Sequence, residues 1–172
     1  MVQTNQTTRI LVVGGGVAGL EIATELGRQS RRATRHGKKF AVTLLDADTA
    51  HVWKPMLHTI AAGTRDVYQQ QVAYAAQAHN AGFAYQPGAM CGLDRARKEV
   101  VVAALVHPDG RELLAPRRLG YDVLILALGS QANDFGTPGV QAHCFTIDSR
   151  IDADSFNREI RVRIVQSAAE QS

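Results

Sequence analysis

The apolar positions of the chain begin with a strand pattern, change to a helical pattern and return to a strand pattern. A strand is predicted over residues 9–13, because its last four positions are continuously apolar, as in a strand covered on both faces. Over residues 17–29, apolar positions recur every three or four residues opposite polar ones, which predicts a helix. A second apolar run over residues 40–45 is interrupted only by Thr43. Strand, helix and strand in this order predict a βαβ unit and a parallel sheet.

The rest of the chain predicts a further helix, a group of short strands and a third buried strand. Residues 66–80 are predicted to be helical, with Asp66 as the N-cap and Val67, Val72, Ala75 and Ala76 on the inner side. Short β-prone runs predict an antiparallel meander inserted after the βαβ unit. The remaining predicted elements are strands at 83–85, 89–94, 98–106, 112–115 and 121–128, a Gly/Pro loop at 136–139, and a helix at 152–168 with Phe156, Ile160, Ile164 and Val165 on its apolar face.

Composition indicates an ordinary globular domain. The chain has 172 residues, 45% of them hydrophobic and 20% charged, which is typical of a globular protein with a sizeable core. A net charge of +3 does not support nucleic-acid binding. No apolar run approaches the roughly 20 residues that span a bilayer. The two cysteines, Cys91 and Cys144, form no metal-binding or C-x-x-C spacing, which favours a reduced, cytoplasmic compartment.

Positive charge is concentrated between the first helix and the second strand. Such a stretch is most often a solvated surface loop, and the alternative is a patch that faces an anionic membrane or an acidic partner. The residues concerned are Arg28, Arg31, Arg32, Arg35, Lys38 and Lys39.

A G-x-G-x-x-G turn joins the first strand to the first helix. In this arrangement Gly14 allows a tight turn, Gly16 leaves room for close approach of a pyrophosphate, and Gly19 allows the helix to pack on the sheet. Val17 and Ala18 complete the turn at the helix N-terminus, where free backbone N–H groups favour anions. The motif therefore predicts a dinucleotide site.

An acid follows the second strand, as a dinucleotide site requires. Asp46 could accept a hydrogen bond from the adenosine ribose, and Asp48 is the alternative. Asp46 lies 32 positions after Gly14, against about 20 in the usual pattern. The basic stretch between the helix and the second strand accounts for the difference.

Further segments resemble one family of flavoproteins. The glycine turn, the segment HVWKPMLH at 51–58, the run AAGT at 61–64 and the segment YDVLILALGSQANDFGTPGV at 121–140 together are similar to type II NADH dehydrogenases. These enzymes have two dinucleotide-binding domains. The resemblance implies a Rossmann-like FAD-binding domain with a parallel sheet and an inserted antiparallel meander. It also implies that FAD, rather than NAD, occupies the first site.

The resemblance assigns expected FAD contacts by position. Gly14, Gly16 and Gly19 would hold the pyrophosphate with Val17 and Ala18, and Asp46 with its neighbour Ala47 would hold the ribose. Lys54 and Pro55 would approach the flavin ring. The stretch at Met90 would meet the adenine. Ala127, Leu128 and Gly129 match a second FAD motif in which Leu128 stands where threonine is usual.

Cysteines and histidines in these segments suggest no other chemistry. No cysteine occurs between Asp46 and Met90, which argues against thiol–disulfide exchange and sulfide oxidation. Cys91 is expected to be a buried structural thiol. His51 and His58 are expected to pack or lie on the surface rather than bind metal, and Trp53 is expected to pack rather than stack on a quinone. No catalytic residue or metal ligand is predicted.

The resemblance also implies a division of the chain and a larger parent protein. Residues 1–150 would form the FAD-binding segment, and 151–172 a helical connection toward an NADH-binding domain that the chain lacks. In the parent, electrons would pass from NADH through FAD to a quinone, at the inner face of the cell membrane. The chain alone is expected to bind FAD weakly or not at all and not to turn over. The alternatives are a ferredoxin or rubredoxin reductase, or a stand-alone nucleotide-binding module.

Overall fold

The computed structural model describes residues 7–34, 40–65 and 71–170. The chain divides into two compact units, and each is described by itself. The first unit comprises Met1–His51 and Val72–Gly129. The second comprises Val52–Gln71 and Ser130–Ser172.

Helices and strands alternate in the first half of the chain, and only strands occur between residues 84 and 126. In chain order they are β1 (Thr8–Val13), α1 (Val17–Thr34), β2 (Phe40–Asp46), β3 (Ala50–Val52), a 3₁₀ helix (Lys54–Met56), α2 (Leu57–Ala61), β4 (Gln71–Ala73), α3 (Tyr74–Ala81), β5 (Ala84–Pro87), β6 (Met90–Asp94), β7 (Glu99–Val102), β8 (Leu105–Val106), β9 (Glu112–Leu114), β10 (Arg117–Gly120), β11 (Val123–Leu126), α4 (Val140–His143) and α5 (Arg150–Glu170).

A parallel sheet organises the first unit. Its strand order is β11-β1-β2-β5, and every pairing is parallel, so the predicted βαβ unit and parallel sheet are confirmed. The strand β5 corresponds to the β-prone run at 83–85, which the sequence had assigned to the meander. That assignment is wrong, because Ala84–Pro87 pairs with Thr43–Asp46 of β2 instead.

The two faces of β1 pack into different core clusters, which explains why the last four positions of this strand are all apolar. Val12 is fully buried in a cluster that includes Ala23 of α1, Leu44 of β2 and Ala78 of α3. Successive side chains of a strand point to opposite faces. The neighbours of Val12 therefore lie in the second cluster, which consists of Leu11, Val13, Leu45, Val100, Val102 and Tyr121.

The second cluster is covered by the predicted antiparallel meander. Its sheet has the order β10-β7-β6, with Leu93 opposite Val100 and Leu119 opposite the same residue on the other side. A separate hairpin of β8 and β9 turns at residues 107–111, where the Gly110 N–H donates to the His107 carbonyl at 2.8 Å. The strand β10 was not predicted as a separate element.

The predicted helix at 66–80 differs from the observed structure. Residues 66–70, including the expected N-cap Asp66, lie outside the described residues. Val72 belongs to the strand β4 and is 42% exposed, and the helix α3 begins only at Tyr74. Its buried residues are Tyr74, Ala78 and Ala81 rather than the predicted alanines. A large aromatic ring at the first helical position thus sets which face of α3 is inside.

The second unit contains the helices α2 and α5, which share a small core of Leu57, Ile60, Ala61 and Ala153. Phe156 packs beside this core and meets the ring of Phe145 edge-on at a centroid distance of 5.5 Å. The start of α5 is stabilised by Ser149 and Asp152, which bond to each other's backbone N–H groups. Asn157 donates from Nδ2 to the Ala61 carbonyl at 2.9 Å.

The predicted apolar face of α5 is only partly covered within the described residues. Phe156 packs as expected, whereas Ile160, Ile164 and Val165 are classed as exposed, with 39%, 63% and 69% of their surface accessible. None of the helices formed by the described residues combines the length and the apolar composition that crossing a membrane requires.

We expect Leu44→Ala to lower the free energy of unfolding by about 2–5 kcal/mol, because the substitution leaves a cavity around a fully buried side chain. Leu126→Ala is the matched control, since Leu126 is 51% exposed, and its cost should stay near about 0.5 kcal/mol. Urea denaturation of both variants measures the difference. Equal costs would show that the core is not centred on β2.

Candidate dinucleotide-binding site

Three segments meet at the carboxyl ends of the parallel strands. The glycine turn follows β1, Asp46 ends β2, and Ala127 follows β11. The Gly14 N–H donates to the Leu45 carbonyl at 2.9 Å, and the Ala127 N–H donates to the Val13 carbonyl at 2.8 Å. Since ligands of open parallel sheets bind outside the carboxyl ends of the strands, this edge is the candidate site.

Two of the three motif glycines are required by close backbone contacts. Gly14 has a φ of 100°, and a Cβ there would lie 2.2 Å from the Ala127 carbonyl oxygen. A Cβ on Gly19 would lie 1.7 Å from the carbonyl oxygen of Gly14. No side chain fits at either position. These contacts agree with the roles predicted for the tight turn and for close packing of the helix.

Gly16 has the opposite environment. A Cβ at this position would meet no atom within 4 Å, and the residue is exposed together with Val17 and Ala18. The first hydrogen bond of α1 runs from the Leu20 N–H to the Gly16 carbonyl at 2.9 Å. The N–H groups of the first helical turn have no acceptor within the helix. An open surface and free donors therefore occur together, as an anion site requires.

Asp46 contacts the glycine turn directly. Its Oδ2 accepts a short hydrogen bond from the Gly15 N–H, and its Oδ1 accepts one from the Asp48 N–H at 2.8 Å. The Asp46 carbonyl accepts a third from the Gly88 N–H at 2.8 Å. Of the two predicted acids, Asp46 is therefore the one that contacts the turn. Its contact with a ribose stays a prediction.

Two tyrosines that the sequence had not singled out lie beneath these loops. The Tyr74 hydroxyl donates to the Gly15 carbonyl at 2.8 Å, and the Tyr85 hydroxyl donates to the Asp48 carbonyl at 2.6 Å. Their ring centroids are 5.3 Å apart. A possible signal in the sequence is one aromatic residue among small ones, YAAQA, because a buried tyrosine needs a partner for its hydroxyl.

His51 lies in the same region and is partly buried. Burial lowers the pKa of its imidazole, while the charge of Asp46 and a hydrogen bond to the Gly15 backbone act in the opposite direction. The sequence predicted a packing or surface role for His51, and the structure places it beside the glycine turn. Among the described residues, no cluster of three or more His, Cys, Asp or Glu could hold a metal ion.

Of the remaining predicted contacts of the first unit, Ala47, Leu128 and Gly129 follow the carboxyl ends of β2 and β11, and Met90 lies in the antiparallel sheet. Ala47 is exposed directly after Asp46, and Leu128 is 64% exposed beside Ala127. Gly129 adopts a φ of 72°. Met90 begins β6, and its side chain packs against the second core cluster. The adenine contact at Met90 therefore depends on its backbone and stays a prediction.

Lys54 and Pro55 belong to the second unit, in the 3₁₀ helix. The Lys54 Nζ donates to the Ser130 carbonyl at 2.6 Å and lies 3.8 Å from Asp148 Oδ1. The approach of these residues to a flavin stays a prediction. The expected packing of Trp53 is wrong, because 52% of its surface is exposed.

The expectation of a buried thiol at Cys91 is also wrong. Cys91 is exposed, and it lies where the register between β6 and β7 shifts. Such an irregularity turns a strand side chain away from its regular alternation. Cys144 is exposed as well. Of the basic residues, Arg31 donates to the Asn80 and His79 carbonyls, and Arg35, Lys38 and Lys39 lie outside the described residues.

A glycine turn between a buried strand and a helix, with an acid at the end of the next parallel strand, defines an α/β dinucleotide-binding domain. The chain matches the model of the pyridine nucleotide-disulphide oxidoreductase family over residues 8–165. It therefore belongs to that family.

The chain is also similar to curated enzymes. It is 37% identical over 151 residues to a Type II NADH:quinone oxidoreductase of Haemophilus influenzae, covering 88% of this chain and 33% of that protein. It is 26% identical over 163 residues to the enzyme of the same name from Staphylococcus aureus strain NCTC 8325, covering 94% and 36%. The chain thus spans about a third of the length of these relatives.

Solved structures share the fold at low sequence identity. NDH2 from Plasmodium falciparum in complex with NADH superposes with a TM-score of 0.70 at 19% identity, covering 88% of this chain and 28% of that one. NADH:rubredoxin oxidoreductase from Clostridium acetobutylicum has a TM-score of 0.63 at 20% identity, covering 91% and 36%. These likenesses confirm the Rossmann-like α/β fold.

Gly19→Ala should destabilise the chain by about 1–3 kcal/mol, because its Cβ would overlap the Gly14 carbonyl oxygen. Gly16→Ala should stay within about 0.5 kcal/mol of the unsubstituted chain, because its Cβ meets open space. Thermal unfolding of both variants distinguishes the two positions. A costly Gly16→Ala would contradict the open surface described above.

The His51 imidazole should titrate below the usual value of about 6.5 in an NMR experiment, because burial disfavours its charged form. The unfolded chain then binds more protons than the folded chain as the pH falls below about 6.5, so stability should decrease over that window. His51→Gln should reduce this pH dependence, and His79→Gln should retain it. A midpoint at or above 6.5 would contradict the burial of His51.

Proposed function

We propose that this chain is the FAD-binding segment of a flavoprotein that passes electrons from NADH through FAD to a quinone. Membership in the pyridine nucleotide-disulphide oxidoreductase family and 37% identity to a Type II NADH:quinone oxidoreductase support the proposal. The observation that carries it is the open Gly16 surface at the start of α1, next to Asp46.

The residues present fit the pyrophosphate and ribose of FAD. Gly16, Val17 and Ala18 are exposed, and a Cβ on Gly16 would meet no atom within 4 Å. The N–H groups of a first helical turn have no acceptor within the helix, so we assign them to the pyrophosphate. The positive end of the 18-residue helix α1 lies at the same point, which favours a doubly charged pyrophosphate. Gly14 lies against the Ala127 backbone, and Gly19 lies against the Gly14 carbonyl, so both contacts fix this part of the backbone. The turn therefore has its anion-binding conformation already in the absence of the cofactor.

Asp46 selects between nucleotides by its charge and position. Its carboxylate terminates β2 and already bonds to the Gly15 N–H, so it lies next to the pyrophosphate site. A carboxylate accepts hydrogen bonds from ribose hydroxyls and repels a 2′-phosphate. We therefore assign Asp46, with Ala47 beside it, to the adenosine ribose of FAD.

The other expected contacts complete the assignment. We place the backbone at Met90 against the adenine, and Ala127, Leu128 and Gly129 beside the cofactor at the end of β11. Lys54 and Pro55 are assigned to the flavin ring. When bound, FAD would supply the redox chemistry between NADH and a quinone. The residues of this segment bind and orient the cofactor.

The chain spans a third of the length of the Haemophilus influenzae relative, so the activity of a whole enzyme is part of the proposal. We assign NADH binding, quinone contacts and peripheral association with the inner face of the membrane to the larger protein. The chain alone would bind FAD weakly, since it supplies the pyrophosphate and ribose contacts but only part of the flavin environment. It would not turn over.

Titration with FAD, followed by amide NMR shifts, tests the assignment and detects weak binding. Shifts should concentrate at residues 14–19 and 46–47. Asp46→Asn and Gly16→Ala should each weaken FAD binding about tenfold or more, because one removes the ribose acceptor's charge and the other fills the phosphate approach. Asp154→Asn, on α5, is the charge-matched control and should bind as the unsubstituted chain does.

The absence of any FAD-dependent shift at millimolar concentration would contradict the cofactor assignment. Equal weakening by Asp154→Asn would show that net charge, rather than the Asp46 contact, determines binding. Thermal unfolding of each variant separates loss of binding from loss of fold.

A further inference from the structure

We propose that Tyr74 is a positioning residue that orients the backbone of the pyrophosphate-binding turn, and that Tyr85 does the same for the loop after β2. This proposal rests on the proposed function, because it concerns how the same turn receives an anion. Neither tyrosine touches the expected cofactor. Each acts through a backbone carbonyl.

Tyr74 contacts both loops of the site from beneath. Its hydroxyl donates to the Gly15 carbonyl at 2.8 Å, and its backbone N–H donates to the Thr49 carbonyl at 3.1 Å. The side chain is only 2% exposed. A Cβ on Gly15 would lie 2.5 Å from its ring and hydroxyl, so the turn rests directly on the phenol.

The peptide between Gly15 and Gly16 connects this buried contact to the open surface. A trans peptide is planar, with its carbonyl oxygen and its N–H pointing in opposite directions. Because the Gly15 carbonyl points inward to the Tyr74 hydroxyl, the Gly16 N–H of the same peptide points outward. Gly16 itself is exposed, so a donor that points away from the buried phenol can reach a ligand. The phenol therefore determines where the Gly16 donor points.

The other end of Gly15 is fixed independently. Its N–H donates to Asp46 Oδ2, so the residue is held through both of its backbone polar groups. Rotation of the Gly15–Gly16 peptide would place a carbonyl oxygen on the anion side and would separate the buried phenol from its acceptor. His51 also approaches the Gly15 backbone, but it is only half-buried.

Tyr85 extends the same arrangement to the loop after β2. Its ring lies 5.3 Å from that of Tyr74, at 43°, and its hydroxyl donates to the Asp48 carbonyl at 2.6 Å. Burial raises the pKa of both phenols, with further contributions from Asp46 and Asp48, and that of Tyr85 rises to about 12. Both hydroxyls thus remain donors well above neutral pH.

The experiment compares Tyr74→Phe with Tyr121→Phe in the full 172-residue chain. Tyr121 is also buried, at 8% exposure, but it belongs to the second core cluster. ADP and adenosine are titrated against each variant by amide NMR, because ADP carries the pyrophosphate and adenosine does not. Tyr74→Phe should weaken ADP binding about fivefold to twentyfold and leave adenosine binding unchanged. Tyr121→Phe should change neither.

Two results would overturn the proposal while the FAD assignment stands. One is ADP binding to Tyr74→Phe that equals that of the unsubstituted chain. The other is an equal loss for ADP and adenosine, which would indicate a general loosening of the unit rather than misdirected phosphate donors.

The Gly16 amide gives a readout that does not depend on any ligand. Its chemical shift and hydrogen-exchange rate should change in Tyr74→Phe and remain constant in Tyr121→Phe. If the unsubstituted chain binds neither FAD nor ADP, the proposed function fails, and this amide still decides the positioning role. An unchanged Gly16 amide would overturn it.

Tyr85→Phe is the second variant, for the case in which Tyr74→Phe does not fold, since Tyr85 is less buried. This variant should shift the amide signals of Asp48 and Thr49. It should also weaken the binding of ADP and of adenosine about equally, because the proposed function assigns the loop after β2 to the ribose, which both ligands carry. Unchanged amides at these positions would overturn the role of Tyr85.

Discussion

The close approach of α1 to the end of β1 is the constraint on which the site depends. The carbonyl of Gly14 occupies the space that any side chain at position 19 would need, and Gly14 itself lies against the backbone after β11. Three backbone segments are thus in contact without side chains between them. This contact places the helix N-terminus at the sheet edge and brings Asp46 within reach of Gly15. The geometry of the candidate site is a consequence of backbone packing.

Much of this arrangement could be predicted from the sequence because its causes are local. Apolar runs predicted β1 and β2, and the glycine spacing predicted the tight turn and the close packing of α1 on the sheet. The limits of α3 could not be predicted in this way. They depend on Tyr74, whose ring contacts Gly15, 59 positions earlier in the chain, and lies beside the ring of Tyr85. The pairing of β5 with β2 and the exposure of Cys91 likewise depend on which strands meet, and periodicity contains no such information.

The site also shows how side chains outside a motif can determine what the motif does. A glycine turn provides flexible backbone, and flexibility alone does not aim an N–H group. In this chain one carboxylate and one phenol fix the two polar groups of Gly15. Neither belongs to the G-x-G-x-x-G pattern. Two chains with the same glycine spacing could therefore differ in anion affinity because of residues about 30 and 60 positions away.

The central place of β1 has a thermodynamic consequence. Its alternate side chains anchor both core clusters, and its carboxyl end carries the turn. Loosening either cluster therefore disturbs the same strand, so the first unit cannot lose one layer and keep its site. The ability to bind a ligand at the turn is therefore lost in the same transition in which the unit unfolds. A ligand that binds the turn only in the folded state would raise the melting temperature of the unit, and the rise would grow with the logarithm of the ligand concentration. The melting temperature would therefore report how much of the site is occupied.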